Sequence, residues 1–154
     1  MRVRKEREER EQKVEQLKKL SLLARILKLD VGERAKLARS GDKDCRSILI
    51  KDGNKQVAMA VMSNPKITLP EIEMIAGSRN VSEDILRDIV GNRDWCKNYA
   101  VIHALVQNPK TPVGVSLTHL PKVFTRDLRL LARSRGVPEV IRVSARRLAQ
   151  KRSF

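Results

Sequence analysis

A chain of 154 residues with 41% hydrophobic content suffices for one compact domain, and no run approaches the roughly 20 apolar residues that a membrane helix needs. Only 3% of residues are aromatic, which argues for helices packed through aliphatic ridges and against a β-sandwich or barrel. The formal charge of +15 points to polyanionic partners, and it is unevenly spread: residues 1–29 hold ten Lys/Arg against five Asp/Glu, residues 30–120 thirteen against eleven, and residues 121–154 ten against two.

Residues 1–29 predict a helix of their own, because strong helix formers carry Glu three or four residues before Lys or Arg, the pattern of a solvated helix. Val14, Leu17, Leu20, Leu23 and Leu27 follow at helical spacing, so the second half is expected to dock on the body while residues 1–13 project or fray. Fewer than two heptads are supported, short of a coiled-coil seam. Asp30 and Glu33 form a capping box that opens a short helix ending at Gly41, and Asp42 to Ile50 is the next helix, stopped at Asp52-Gly53. Val57 to Ser63 breaks at Pro65. Thr68 and Glu71 are again a capping box, opening a helix through Ile72 and Ile75 to Gly77, and Ser82 caps another through Ile85, Leu86 and Ile89 to Gly91.

Asn92 to Pro112 is expected to be one buried helix: Val101, Ile102, Leu105 and Val106 form its stripe, and it contains the chain's one Trp and one Tyr. Asn108-Pro109 ends it, since proline lacks the backbone donor and forces its predecessor out of the α region. Thr111 as N-cap with Pro112 at N1 then starts a short helix. A further helix runs from Thr125 through Leu128 and Leu131, and a last one, with Pro138 at N1, through Ile141, Ala145 and Leu148.

Two internal echoes point to a repeat. Val57 to Thr68 (VAMAVMSNPKIT) recurs as the end of the Asn92–Pro112 stretch, with Asn64-Pro-Lys and Asn108-Pro-Lys 44 residues apart. Ala76-Gly-Ser-Arg-Asn-Val-Ser-Glu83 recurs as Ala132-Arg-Ser-Arg-Gly-Val-Pro-Glu139 at a spacing of 56, with Leu37 to Gly41 as a shorter copy, so the last unit carries extra residues around Val113 to Phe124. With GDKDCRSILIKDGNKQV, NPKIT, NRDWCKNYAV and ALVQNPKTP in that order, the chain resembles short bacterial α-repeat proteins of the HEAT/armadillo type over residues 30 to 150. The resemblance implies a right-handed all-α solenoid of antiparallel helices, residues 30–154, behind the charged helix 1–29. It brings no catalytic residues with it.

Few residues read as chemistry. Cys45 and Cys96 lack metal or CxxC spacing, so two free thiols in a reducing cytoplasm are expected. His103 and His119 have no flanking acid or thiol at ligand spacing and read as core or helix-end histidines. The acidic residues fall mostly at helix starts, where they answer unpaired N–H groups. No enzyme, cofactor or metal is expected.

The basic C-terminus carries the functional expectation. Arg126, Arg129 and Arg133 share one helical face opposite Leu128 and Leu131; Arg142, Arg146 and Arg147 share another opposite Ile141, Ala145 and Leu148; Arg135 and Lys151 add to them. Two adjacent arginine faces with few acids between them suit phosphate contact. Trp95 between Arg93 and Lys97 is a second candidate contact, against a packing role at a repeat corner. The expected partner is nucleic acid bound through its backbone, with structured RNA or a ribosomal surface slightly ahead of duplex DNA. The alternative is a protein adaptor using the concave face of the solenoid.

Overall fold

Short polar caps divide this chain into helices. Asp30 Oδ1 accepts from Glu33 N at 2.8 Å while Asp30 N donates to Glu33 Oε2 at 3.1 Å, Asp42 accepts from Cys45 N at 3.0 Å, and Asn54 accepts from Gln56 N at 3.0 Å. Each side chain answers a backbone donor that the first helical turn leaves open. In a computed structural model that describes residues 2–153, the order is α1 (Arg2–Ile26), α2 (Val31–Ser40), α3 (Lys43–Leu49), α4 (Lys55–Met62), α5 (Leu69–Gly77), α6 (Glu83–Gly91), α7 (Arg93–Cys96), α8 (Tyr99–Gln107), α9 (Val113–His119), a 3-10 turn (Leu120–Lys122), α10 (Thr125–Leu131) and α11 (Glu139–Arg152). The expected all-α class holds: no strand occurs among the described residues. Met1 and Phe154, the ends of the two expected segments, lie outside them.

The chain divides into two compact units, one up to Lys66 and one from Ile67. In the first, α2 packs along α4. Ala38, Leu49, Val57 and Val61 are fully enclosed, and Arg34 Nε meets Asp52 Oδ2 at 2.9 Å beside them. In the second, α5 packs along α8 and α10 along α11. Ile102, Val106, Leu120, Val123, Leu128, Leu131, Val137, Ile141, Ala145 and Ala149 form one continuous buried cluster.

The NP corners explain why the sequence repeats itself. Asn64 is 1% exposed and its Nδ2 donates to the carbonyls of Ala38 at 3.0 Å and Gly41 at 3.1 Å, while its Oδ1 accepts from Lys66 N at 2.9 Å. Asn108 repeats the arrangement, with Nδ2 on Ala76 and Ser78 carbonyls and Oδ1 on Lys110 N. In both, the amide satisfies carbonyls left open at the end of the helix that packs alongside. Proline one residue on frees the chain to leave the helix.

Three expectations are corrected. The second half of α1 does not dock: Val14, Leu17 and Leu20 are 51%, 58% and 62% exposed, and Ile26 is the buried residue of the helix. Its length is sustained by pairs such as Arg4–Glu8 and Arg7–Glu11 at four-residue spacing. The Asn92–Pro112 stretch is two helices, because Asn98 turns its side chain onto Ala100 N at 2.9 Å and caps a new start, leaving Arg93–Cys96 as a single turn. Thr111 is not a cap. It is buried with no hydrogen-bond partner for its hydroxyl, Pro112 takes the capping position, and α9 begins at Val113. Thr111 follows Asn108 by three residues, as Ile67 follows Asn64, and Pro112 stands at the capping position that Thr68 holds in the first corner.

Candidate nucleic-acid interface

The C-terminal arginines stand on two helices and the turn between them, and the inner helix faces are fixed by Leu128 and Leu131 on α10 and by Ile141, Ala145 and Ala149 on α11. Burial of those stripes turns the polar positions outward. Asp127, one of two acids in the last 34 residues, is itself buried and is engaged inside the molecule: Tyr99 Oη donates to its Oδ2 at 2.5 Å, and Arg126 Nε lies 3.5 Å from its Oδ1. The hydrogen bond from Tyr99, with His103 and Arg126 nearby, holds the Asp127 carboxyl below its usual range. Burial and the same bond raise the Tyr99 phenol. The outer surface of α10 is therefore more basic than its sequence reads.

The arginines divide between two open hollows. One, of about 260 Å³, lies between α10 and α11 and is lined by Arg129, Arg133, Arg146, Ala132, Ala149, Gln150 and Ser153. Arg129 Nη2 donates to Ser153 Oγ at 3.1 Å within it. Among the described residues, no carboxylate lines this hollow. The other, of about 280 Å³, lies on the opposite side of α11 against α9 and the 3-10 turn, and holds Arg147 and Lys151 with Leu117, Pro121, Ser144 and Leu148. Arg146 and Arg147 thus leave α11 toward different hollows, as a step of 100° per residue requires, and the single face expected of Arg142, Arg146 and Arg147 is split. Arg133 lies just past the end of α10, in the turn that also holds exposed Arg135; Arg142 is half-buried and Arg126 exposed.

The residues of the Trp95 cluster line neither hollow. Asn92 caps its one-turn helix through Asp94 N and Trp95 N. Trp95 is half-buried, exposed Lys97 pairs with Asp94 at 3.1 Å, and Arg93 is exposed. The ring is neither a fully enclosed staple nor an open platform. Cys45 and Cys96 are free thiols, as expected, and burial pushes both upward from the ordinary thiol range. His119 closes α9, buried, and burial together with Lys122, whose Nζ is 3.4 Å from Nδ1, depresses its pKa.

Sequence reasoning passed over two participants. Arg152 donates from Nη1 to Val123 O at 2.6 Å and from Nη2 to Pro121 O, tying the end of α11 to the chain before α10. Phe124, at the capping position of α10, is 60% exposed and lies parallel to Tyr99, with ring centroids 3.9 Å apart. Neither contact leaves a local signal, since the partners are 25 to 31 residues apart.

Comparison of the chain with protein-family models, with curated proteins and with solved structures finds no match. Among the described residues, no group of three or more His, Cys, Asp or Glu could hold a metal ion, and no helix is long and apolar enough to cross a membrane.

Proposed function

We propose that the protein is a non-enzymatic α-repeat protein of the HEAT/armadillo-like kind that binds nucleic acid through the phosphate backbone, structured RNA slightly ahead of DNA. The observation that carries this reading is the hollow lined by Arg129, Arg133 and Arg146 with no carboxylate among its described lining residues. Three arginines lining one hollow repel one another, and a polyanion relieves that repulsion. Arginine presents a rigid fork of donors suited to phosphate oxygens, which supports phosphate over an isolated carboxylate as the ligand. Arg147 and Lys151 in the second hollow extend the basic surface around α11.

The solenoid part of the reading rests on the two equivalent corners at Asn64 and Asn108, which cap neighbouring helices in the same manner. Repeated corners of that kind are what a stack of helical repeats requires. The second reading, a protein adaptor, is favoured by the exposed apolar side chains of α1, Leu17, Leu20 and Leu23 among them.

Fluorescence anisotropy with a labelled RNA hairpin, titrated with salt, tests the proposal. Affinity is expected to fall steeply and linearly on a double-logarithmic plot, as counterion release demands. Absence of binding at low salt would hand the function to the adaptor reading.

A further inference from the structure

Phe124 sits where a helix start ordinarily carries Ser, Thr, Asp or Asn. It makes no side-chain cap, and its ring is instead stacked on Tyr99 at an interplanar angle of 14°. Tyr99 cannot swing away, because its hydroxyl is held at two points: it donates to Asp127 Oδ2 at 2.5 Å and accepts from Phe124 N at 3.2 Å. The ring of His103 lies parallel to Tyr99 as well, at 12° and 5.7 Å. A large apolar ring that remains 60% exposed while being clamped in one orientation gains little from burial. What the clamp provides is a flat aromatic surface whose ordering entropy is already spent before a ligand arrives.

The surroundings select the ligand. Arg126, two residues on, has a side chain 85% exposed. Asp127 beside it is buried, with Oδ2 on Tyr99 and Oδ1 3.5 Å from Arg126 Nε, so the outer edge of the guanidinium stays open to solvent. A flat π-face next to an exposed guanidinium matches a base and its own phosphate. Apolar peptides and membranes call for a wider greasy patch than one ring.

We propose that Phe124, backed by Tyr99, is a stacking platform for an unpaired nucleobase, with Arg126 on the adjoining phosphate. The inference rests on the nucleic-acid reading above and sharpens it: the preferred target has unpaired bases, as a structured RNA has in its loops. Paired bases keep their faces stacked inside the helix and are closed to the ring.

The experiment compares two labelled probes with equal phosphate counts, an RNA hairpin with an unpaired uridine loop and a fully paired RNA duplex, by anisotropy at fixed salt. The wild type is expected to prefer the hairpin. Phe124→Ala is expected to lower hairpin affinity roughly ten-fold and leave duplex affinity and the salt slope unchanged. Phe124→Leu keeps the apolar bulk without the π-face and covers the case in which the alanine variant folds poorly; it should lose the same preference, and Phe124→Trp should retain it. Circular dichroism establishes that each variant is folded. Equal binding of both probes by the wild type, or wild-type hairpin affinity in a folded Phe124→Leu, overturns the platform and leaves phosphate binding standing. Failure of the wild type to bind either probe at low salt overturns both.

Discussion

Asn108 spends both hydrogens of its side-chain amide on carbonyls of the neighbouring helix end, those of Ala76 and Ser78, each at 2.8 Å. Its oxygen takes Lys110 N at 3.0 Å, so one buried side chain closes its own corner and caps α5. Removing it leaves buried acceptors without partners, which costs far more than the net value of a hydrogen bond. Asn108→Ala is expected to cost about 2 to 4 kcal/mol in urea denaturation, and Asn64→Ala a similar amount. Asn108→Asp should be no better, since a carboxylate would face the same carbonyls. A loss below about 0.5 kcal/mol would mean that water replaces the amide.

Gly41 is required for space. A Cβ there would lie 2.6 Å from Leu37 O and 2.8 Å from Cys45 Cβ, and its φ of −71° is open to any residue. Both neighbours are held, and the Gly41 carbonyl serves Asn64 and Arg46 Nη1 together. Gly41→Ala should therefore destabilise by about 1 to 3 kcal/mol. Gly114, in α9 with nothing within 4 Å, predicts the opposite sign, a gain of roughly 0.5 kcal/mol on Gly114→Ala. Thermal midpoints of the two variants on either side of the wild type are the expected outcome.

The division of the basic residues between two hollows predicts which arginines act together. Replacing Arg129, Arg133 and Arg146 by Gln should lower the slope of log affinity against log salt by about two to three. Replacing Arg147 and Lys151 tests the opposite side of α11, with at most about two from the slope. Helicity should survive in both variants, as the changed side chains are largely exposed. An unchanged slope in the first variant would remove phosphate from the α10–α11 hollow.

Two groups make stability fall on acidification. The folded pKa of His119 is depressed by burial and by Lys122, so its contribution is present above the unfolded value of about 6.5 and is lost as pH drops through the folded value. Asp127, lowered by the Tyr99 hydrogen bond, adds a second loss that starts below about 3.9. Denaturation midpoints measured against pH should show both steps. His119→Gln should flatten the upper one and Tyr99→Phe the lower; an upper step that persists without His119 would assign it to another group.

The sequence by itself determined the all-helical class and most helix boundaries, because capping boxes and NP breaks act within four residues of themselves. It also marked Asn64 and Asn108 as equivalent, through the words around them, and it located the basic C-terminus. What those asparagines hold was decided only by the tertiary structure, since Ala38 and Ala76 are 26 and 32 residues away. The same holds for α1: its leucines carry a docking stripe in sequence, yet no surface meets Leu17 or Leu20. Thr111 reads as a cap, yet Pro112 takes the position equivalent to Thr68 and leaves Thr111 buried one residue before it. Spacing along a helix gives the direction of each arginine relative to its own axis, but which arginines share a hollow depends on where α9, α10 and the 3-10 turn lie around α11. Phe124 had no signal at all, because a ring becomes a platform only when a distant tyrosine and a buried aspartate hold it flat.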